Sequence, residues 1–347
     1  MPRNGIYRMP AEWEPQNSTW IAWPHNKEDW PGKFREIPWV FGKIVSALSK
    51  VQSVKVLVKN RLEQKKAIFF LNIFGAKIKN IKLIICKTDR AWTRDFLPIF
   101  LKDRNNRNII SNWEFNGWAK YKNFKNDNKA YLAVKKFKKN KIIKPKYMKK
   151  KIVLEGGSID VNGDGLILTT KQCLLSKVQQ RNKGFKIYDY NRIFNKFFGV
   201  KKVIWLNKGI YGDDTHGHVD DIARFVSKNK IFIAKENNRK DKNFKNLNEN
   251  IKIVKKFNMF NKQKFKIVYL PMPKPKFIDG IRVPASYLNF YIANKIVLVP
   301  IFNDINDRIV IKIFKKHFKR RKIIPINCSV LVWGLGTLHC MTQQEPI

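Results

Sequence analysis

Gly212-Asp213-Asp214-Thr215-His216-Gly217-His218-Val219-Asp220-Asp221 runs directly into Ile222-Ala223-Arg224-Phe225-Val226. The first stretch gathers four carboxylates and two imidazoles, and the second has the apolar, β-branched composition of a strand. A strand there sets the acidic loop beside a packed sheet. On extended backbone His218 and Asp220, two positions apart, share a face, so a proton carrier stands beside a cation holder. Plainer readings stand next to this one. Asp and Gly pairs are common in turns, and His218 alone can be a hydrogen-bonded scaffold residue. A metal loop is a third option, although the spacing matches neither the helical pairs of zinc enzymes nor a calcium loop with its distal Glu.

Outward from this strand, short apolar runs alternate with helical spacing. Apolar residues from Phe34 to Leu48 recur at helical intervals, and Val54 to Val58 predicts a strand. Helical patterns follow over 62–74, 188–198, 246–260 and 307–318. Strands are expected at 19–23, 81–85, 97–101, 152–154, 166–170, 203–206, 231–234, 267–270, 296–299 and 323–326. Asp160-Val-Asn-Gly-Asp-Gly165 predicts a hairpin turn. The order is that of an α/β fold, with no linker dividing the chain and a recurring cycle compatible with a repeated unit. The Lys/Asn-rich segments 120–151 and 237–266 read as solvated surface.

At 347 residues and 44% apolar content the chain can bury a substantial core. Its net charge of +45 invites a nucleic-acid or membrane-surface reading. The lysines, however, are spread along the whole chain and travel with Asn, Ile and Phe, the signature of AT-rich codons. No nucleic-acid-binding motif accompanies them, so a specific nucleic-acid or membrane partner is not expected. A weak, salt-sensitive affinity for polyanions is. Cys86, Cys173, Cys328 and Cys340 form no CxxC pair, which argues against a disulfide scaffold or structural zinc. The amino terminus has no signal-peptide character and no run of eighteen apolar residues occurs, so a cytoplasmic location is the default expectation.

Five stretches stand out as chemical: Ala91-Trp92-Thr93-Arg94-Asp95-Phe96-Leu97-Pro98, Trp113 to Trp118, Leu154-Glu155-Gly156-Gly157-Ser158-Ile159-Asp160, the opening loop, and Gly334-Leu335-Gly336-Thr337-Leu338-His339-Cys340 to Pro346. The last offers a cysteine after a glycine-bearing turn. Cys340 becomes a nucleophile if a nearby charge favours its thiolate, and is otherwise a small buried apolar residue. Adjacent His339 would face the other way on a strand and is not paired with it. A thiolate, a histidine and several carboxylates together suit a cationic planar group. Carboxylates grip guanidinium through paired charge-assisted bonds, hold its unreactive carbon in line with sulfur, and leave histidine to move the protons.

These stretches, in this order, resemble the agmatine deiminases and the related Porphyromonas-type peptidylarginine deiminases of the guanidino-group-modifying superfamily. The resemblance runs from Met9-Pro-Ala-Glu-Trp-Glu through Pro284-Ala-Ser-Tyr-Leu-Asn-Phe-Tyr-Ile-Ala-Asn294 to Gln343-Gln-Glu-Pro346. It implies a single catalytic domain over residues 1–347, folded as a five-bladed α/β propeller with fivefold pseudo-symmetry, the pentein fold, and a central active site. It implies Cys340 as nucleophile, His218 as general acid/base, and Asp95 and Asp220 as the guanidinium clamp. Glu155 matches a site glutamate and Trp92 a channel wall, with Trp118 and Asp214 near the substrate. Neither metal nor organic cofactor is implied; a homodimer is.

The family pattern carries Gly where this chain has Leu97, and a denser glycine run where Leu335 and Thr337 stand. Positive φ at either place would strain a side chain. Agmatine, with its amine tail, ranks first as substrate for a channel bearing acidic groups, ahead of peptidylarginine and free arginine. The product from agmatine would be N-carbamoylputrescine, on the way to putrescine. A rival reading is a drifted, inactive homologue that binds polyanions.

Overall fold

The strands Asp160–Val161 and Leu166–Thr170 pair antiparallel across a tight turn. In that turn the Asn162 side-chain oxygen accepts the N–H groups of Asp164 and Leu166, each at 2.9 Å, while Gly163 takes a left-handed φ of 70°. The following helix, Ile187–Phe198, buries Tyr190, Ile193, Phe194, Phe197 and Phe198, a single stripe at helical spacing. It stops at Gly199, whose φ of 67° makes the left-handed cap. Lys202–Leu206 then returns parallel to Leu166–Thr170. The unit is hairpin, helix, parallel strand.

These relationships come from a computed structural model that describes residues 6–137, 140–260 and 264–347. Among the described residues the same order occurs five times. It is built from Ile99–Asp103, Asn108–Ser111, Tyr131–Phe137 and Ile142–Ile143, and again from Ala223–Ser227, Lys230–Lys235, Phe244–Phe260 and Lys266–Pro271. A further copy uses Tyr291–Ile292, Ile296–Ile301, Asn306–His317 and Lys322–Asn327. The last joins the chain ends. Gln343–Pro346 pairs antiparallel with Gln16–Ala22, which runs parallel to Ser53–Val58 after the helix Ile37–Ser49. Parallel strands covered by helices bury both faces, which explains the near-continuous apolar runs read from the sequence.

The architecture is mixed α/β, as the alternation predicts, and most anticipated elements lie within two residues of their expected bounds. Two expectations are corrected. Ile152–Leu154 is no strand; only Val153 makes a single parallel bridge, to Glu114. The strand expected from Leu97 begins at Ile99, because Leu97 ends the short helix Thr93–Phe96. The Lys/Asn-rich segments hold buried positions too, Asp127 and Val134 in one and Leu247, Asn250 and Val254 in the other, on the inward faces of helical turns. Residues 138–139 and 261–263 of those segments lie outside the described residues. Among the described residues no helix is long and apolar enough to cross a membrane.

The repetition places the chemistry. Just ahead of the first strand of each unit lies a short turn: Thr93–Phe96, Gly156–Ser158, Val219–Asp221, the Ser286–Asn289 segment and the Leu338–Met341 turn. Each carries, or directly follows, a polar side chain that reaches the same buried region.

Candidate active site

Gly157 marks the convergence. A Cβ built on it would sit 2.6 Å from His218 Nδ1, 2.9 Å from Asp95 Oδ1 and 3.1 Å from Asp220 Oδ2. No side chain fits there, so three residues from two units close around the α-carbon of a third. Gly157 N–H also donates to Asp95 Oδ1 at 2.9 Å, and Trp118 Nε1 donates to Asp95 Oδ2 at 2.9 Å. Cys340 Sγ lies 3.7 Å from Asp220 Oδ2 and 3.1 Å from the Asn289 amide nitrogen. Asn289 pins the loop through its oxygen as well, accepting from Thr337 Oγ1, from His339 N and from Cys340 N at 3.0 to 3.3 Å.

The cysteine loop is laced to the Asp95 turn. Arg94 N–H donates to the Cys340 carbonyl at 3.1 Å, and Thr93 Oγ1 donates to the Met341 carbonyl at 2.7 Å. A shift of one turn therefore drags the other. Gly336 lets the loop pass, since a Cβ there would stand 3.2 Å from Cys340 Sγ and 3.0 Å from the Trp92 ring.

Burial dominates the electrostatics, because desolvation disfavours charge unless a partner compensates it. Burial raises Asp95 to about 6, with neighbouring Asp220 and Glu155 adding to it and His218 opposing. Burial would depress His218, but Asp95, the Cys173 thiol and Glu155 hold it well above the ordinary histidine value. Burial pushes the Cys340 thiol far up, and Asp220, Asp221 and Asp95 push it further. Burial raises Glu155 too, yet Arg181, bonded at 3.0 Å, and His218 outweigh it and hold the carboxyl near 2. The surroundings thus favour a protonated His218 ring and a neutral Cys340 thiol.

A cavity of about 590 Å³ opens over Asp95 and Cys340, with Trp92 and Trp118 on its walls and Leu335 and Asp214 among its lining. Trp92 is braced by Trp30, ring centroids 5.4 Å apart. Asp214 is engaged by the Tyr121 hydroxyl and, at 3.1 Å, by Lys120. Asp29, farther along the wall, pairs with Arg90, and burial leaves its carboxyl raised to about 7.

The structure brings all eight anticipated site residues to this region. Asp95 and Cys340 form the floor, His218, Asp220 and Glu155 lie buried beside it, and Trp92, Trp118 and Asp214 line the cavity. Three local expectations change. His218 and Asp220 are not on a strand; His218 precedes the helical turn Val219–Asp221, and the turn rather than alternation brings both to Gly157. His339 lies in a turn too, so its ring reaches Asp220 and Glu12, at 2.7 and 2.8 Å. Of the departures from the family pattern, Leu97 has an extended backbone with φ of −79° and is unstrained, whereas Leu335 adopts φ of 65°.

Residues the sequence reading gave no role complete the site. Glu12 receives His339, Arg94 and Arg224, the arginines at 3.2 and 3.0 Å, and these outweigh the effect of its burial to hold it well below the usual carboxylate range. Asn289 and Arg181 are likewise supports. Glu12 and Asn289 lie inside the quoted stretches Met9–Glu14 and Pro284–Asn294, which was their only sequence signal.

The profile of the Porphyromonas-type peptidyl-arginine deiminase family matches residues 8–346. A Mycoplasma capricolum protein, provisionally named agmatine deiminase, is 30% identical, covering 99% of this chain and 97% of its own length. Among solved structures, C. jejuni agmatine deiminase, a Cys-to-Ser variant with substrate bound, superposes with a TM-score of 0.87 at 29% identity, covering 98% of this chain and 96% of that one. The agmatine deiminase of Enterococcus faecalis also gives 0.87, at 27% identity and the same coverage. With a family match over nearly its whole length, this chain belongs to the Porphyromonas-type peptidyl-arginine deiminases.

Proposed function

We propose that this chain is a cytoplasmic agmatine deiminase, hydrolysing agmatine to N-carbamoylputrescine and ammonia on the way to putrescine. The observation that carries the reading is the meeting of Asp95, His218 and Asp220 around Gly157, with Cys340 at the floor of a tryptophan-walled cavity. On this reading residues 1–347 form one catalytic domain. The five repeated units are the blades of an α/β propeller, and their leading turns meet at its axis. The repeated strand order and the pairing of the chain ends support that arrangement.

A guanidinium entering between Asp95 and Asp220 replaces the charge that the buried carboxylates lack. Its positive charge beside Sγ offsets the burial and the acidic neighbours that hold the thiol neutral, so the thiol ionises as substrate binds and its proton passes to solvent. The thiolate adds to the guanidinium carbon, forming a C–S bond. The His218 imidazolium gives its proton to the departing nitrogen, and ammonia leaves with the C–N electron pair. A thiouronium remains on Cys340. Neutral His218 takes a proton from water and hydroxide adds to the same carbon; the C–S bond then breaks as the new hydroxyl gives its proton to solvent, returning the thiolate and the ureido product. Sulfur makes and breaks the covalent bond and imidazole carries the protons of the leaving nitrogen and of water, so the chemistry calls on no cofactor.

The cavity lining carries Glu28, Asp29 and Asp214 against Arg90 and Lys122, with Asp29 paired to Arg90 and Asp214 to Lys120; the small excess of carboxylates supports a substrate whose far end is an ammonium over one ending in a carboxylate. The test is a panel of agmatine, free arginine and a peptide ending in arginine, read as ammonia and ureido product. Turnover of agmatine well above the other two supports the reading. Preference for the peptide overturns the substrate. No turnover, with salt-dependent retention on a nucleic-acid column, overturns the enzyme.

A further inference from the structure

Beside the reacting groups sits a cluster that the reaction does not fully use. Glu155, Cys173 and His218 each place a ligand-type atom within 4.8 Å of the other two, and all three are buried, at 0%, 0% and 1% exposure. Cys173 stands in the short helix Lys171–Leu175, and the Thr170 hydroxyl accepts its N–H at 3.0 Å, which fixes its backbone. Both ring nitrogens of His218 and Glu155 Oε2 are buried without a hydrogen-bond partner among the described residues. Orphaned buried polar atoms are costly, and two of these, His218 Nε2 and Glu155 Oε2, face each other across the cluster, so they call for a ligand.

The surroundings orient this set. Arg181 occupies Glu155 Oε1 at 3.0 Å and so leaves Oε2 free. Asp95 Oδ1 lies 3.8 Å from His218 Nδ1, on the side opposite the nitrogen nearest Glu155. That nitrogen, Nε2, stands 3.9 Å from Glu155 Oε2. Two such ligands on a tetrahedral zinc with bonds of about 2.0 Å stand roughly 3.4 Å apart, so a closure of about half an ångström suffices. A carboxylate behind one imidazole nitrogen and a metal-competent atom on the other is the arrangement of ligating histidines. One thiolate and one carboxylate also neutralise a divalent charge.

We propose that Glu155, Cys173 and His218 bind a thiophilic divalent cation of the zinc type, and that binding reversibly stops hydrolysis. The ion replaces the protons of His218 Nε2 and Cys173 Sγ, which pass to solvent, so the ring is no longer an imidazolium and the remaining Nδ1–H, on the side of Asp95, is too weak an acid to protonate the leaving nitrogen. The inhibition half rests on the deiminase reading; the binding half does not. The site differs from one on the nucleophile, because Cys340 is not a ligand.

The test uses full-length, chelator-treated protein titrated with Co²⁺ and then Zn²⁺. Wild type and Cys340→Ala should both show tetrahedral cobalt bands with a thiolate charge-transfer band, and zinc should abolish them. Cys173→Ser should lose the charge-transfer band and weaken cobalt binding at least about tenfold. X-ray absorption of zinc-loaded Cys340→Ala should show one sulfur at about 2.3 Å with nitrogen or oxygen at about 2.0 Å, a readout that holds should Cys173→Ser fail to fold. Loss of the bands in Cys340→Ala, their persistence in folded Cys173→Ser, or no binding at all would overturn the site. Zinc bound in wild type with agmatine turnover unchanged would overturn the inhibition alone.

Discussion

His339 Nδ1 lies 2.7 Å from Asp220 Oδ2, and the opposite nitrogen of the same ring lies 2.8 Å from Glu12 Oε2. A carboxylate only accepts, so both bonds are made when the ring carries both protons. The ring therefore joins the amino-terminal segment, through Glu12, to Asp220, one half of the proposed guanidinium clamp. Arg224 holds the other oxygen of Glu12, and Arg94 shares Oε2 with the ring. Asp220 is thereby kept below the usual carboxylate range against its burial, chiefly by His339.

His339→Gln keeps size and one donor but cannot serve both carboxylates. Asp220 should then be less firmly held as an anion, and KM for agmatine should rise about tenfold to a hundredfold, the worth of one charge-assisted hydrogen bond. Steady-state kinetics with agmatine checks this. An unchanged KM would make the ring structural only.

Asp95 must be ionised to hold a guanidinium, and its carboxyl is raised to about 6 by burial. A carboxyl is protonated below its pKa, so kcat/KM should fall as pH drops through about 6. Trp118 donates to the charged form at 2.9 Å, and removing that bond favours the neutral acid. Trp118→Phe should therefore move the acid limb to higher pH, read from kcat/KM profiles of the two proteins.

The Cys340 thiol is held neutral by burial and by Asp220, Asp221 and Asp95. Alkylation of the substrate-free protein by iodoacetamide at Cys340 should be slow near neutrality and should keep rising with pH past the ordinary thiol range of about 8.5. Peptide mapping after timed labelling measures it. Rapid labelling at pH 7 would mean that the thiolate forms without substrate.

Leu335 carries a left-handed backbone, φ 65°, at the cavity wall. That conformation costs a non-glycine residue about 1–2 kcal/mol, whereas glycine gives back about 0.4–1 kcal/mol through the freer unfolded chain. Leu335→Gly should accordingly leave the unfolding free energy between unchanged and about 1.6 kcal/mol higher. Leu335→Val, β-branched in the same conformation, should lose about 1–2 kcal/mol. Urea unfolding of both variants decides it.

Most helices and strands were legible because their apolar period is local. The stripe Tyr190, Ile193, Phe194, Phe197 is visible within one window. Ile152–Leu154 misled because three apolar residues cannot show whether a neighbouring strand is available. The eight candidate residues are reachable through their motifs, but not the way they meet. Glu12 and His339 are 327 positions apart, and no spacing rule links them. His339 was set aside on strand alternation, which fails because the segment is a turn. Arg181 and Cys173 lie outside every quoted motif and become visible only through Glu155 and His218.

The central claim is that sulfur of Cys340 bonds to the guanidinium carbon. Acid-quenching wild-type protein during agmatine turnover and weighing its peptides tests it most directly. The account predicts a mass gain of one agmatine less one ammonia on the peptide containing Cys340, absent from Cys340→Ala, which should also release no ammonia. Ammonia release persisting in Cys340→Ala, or an adduct on another residue, would contradict it.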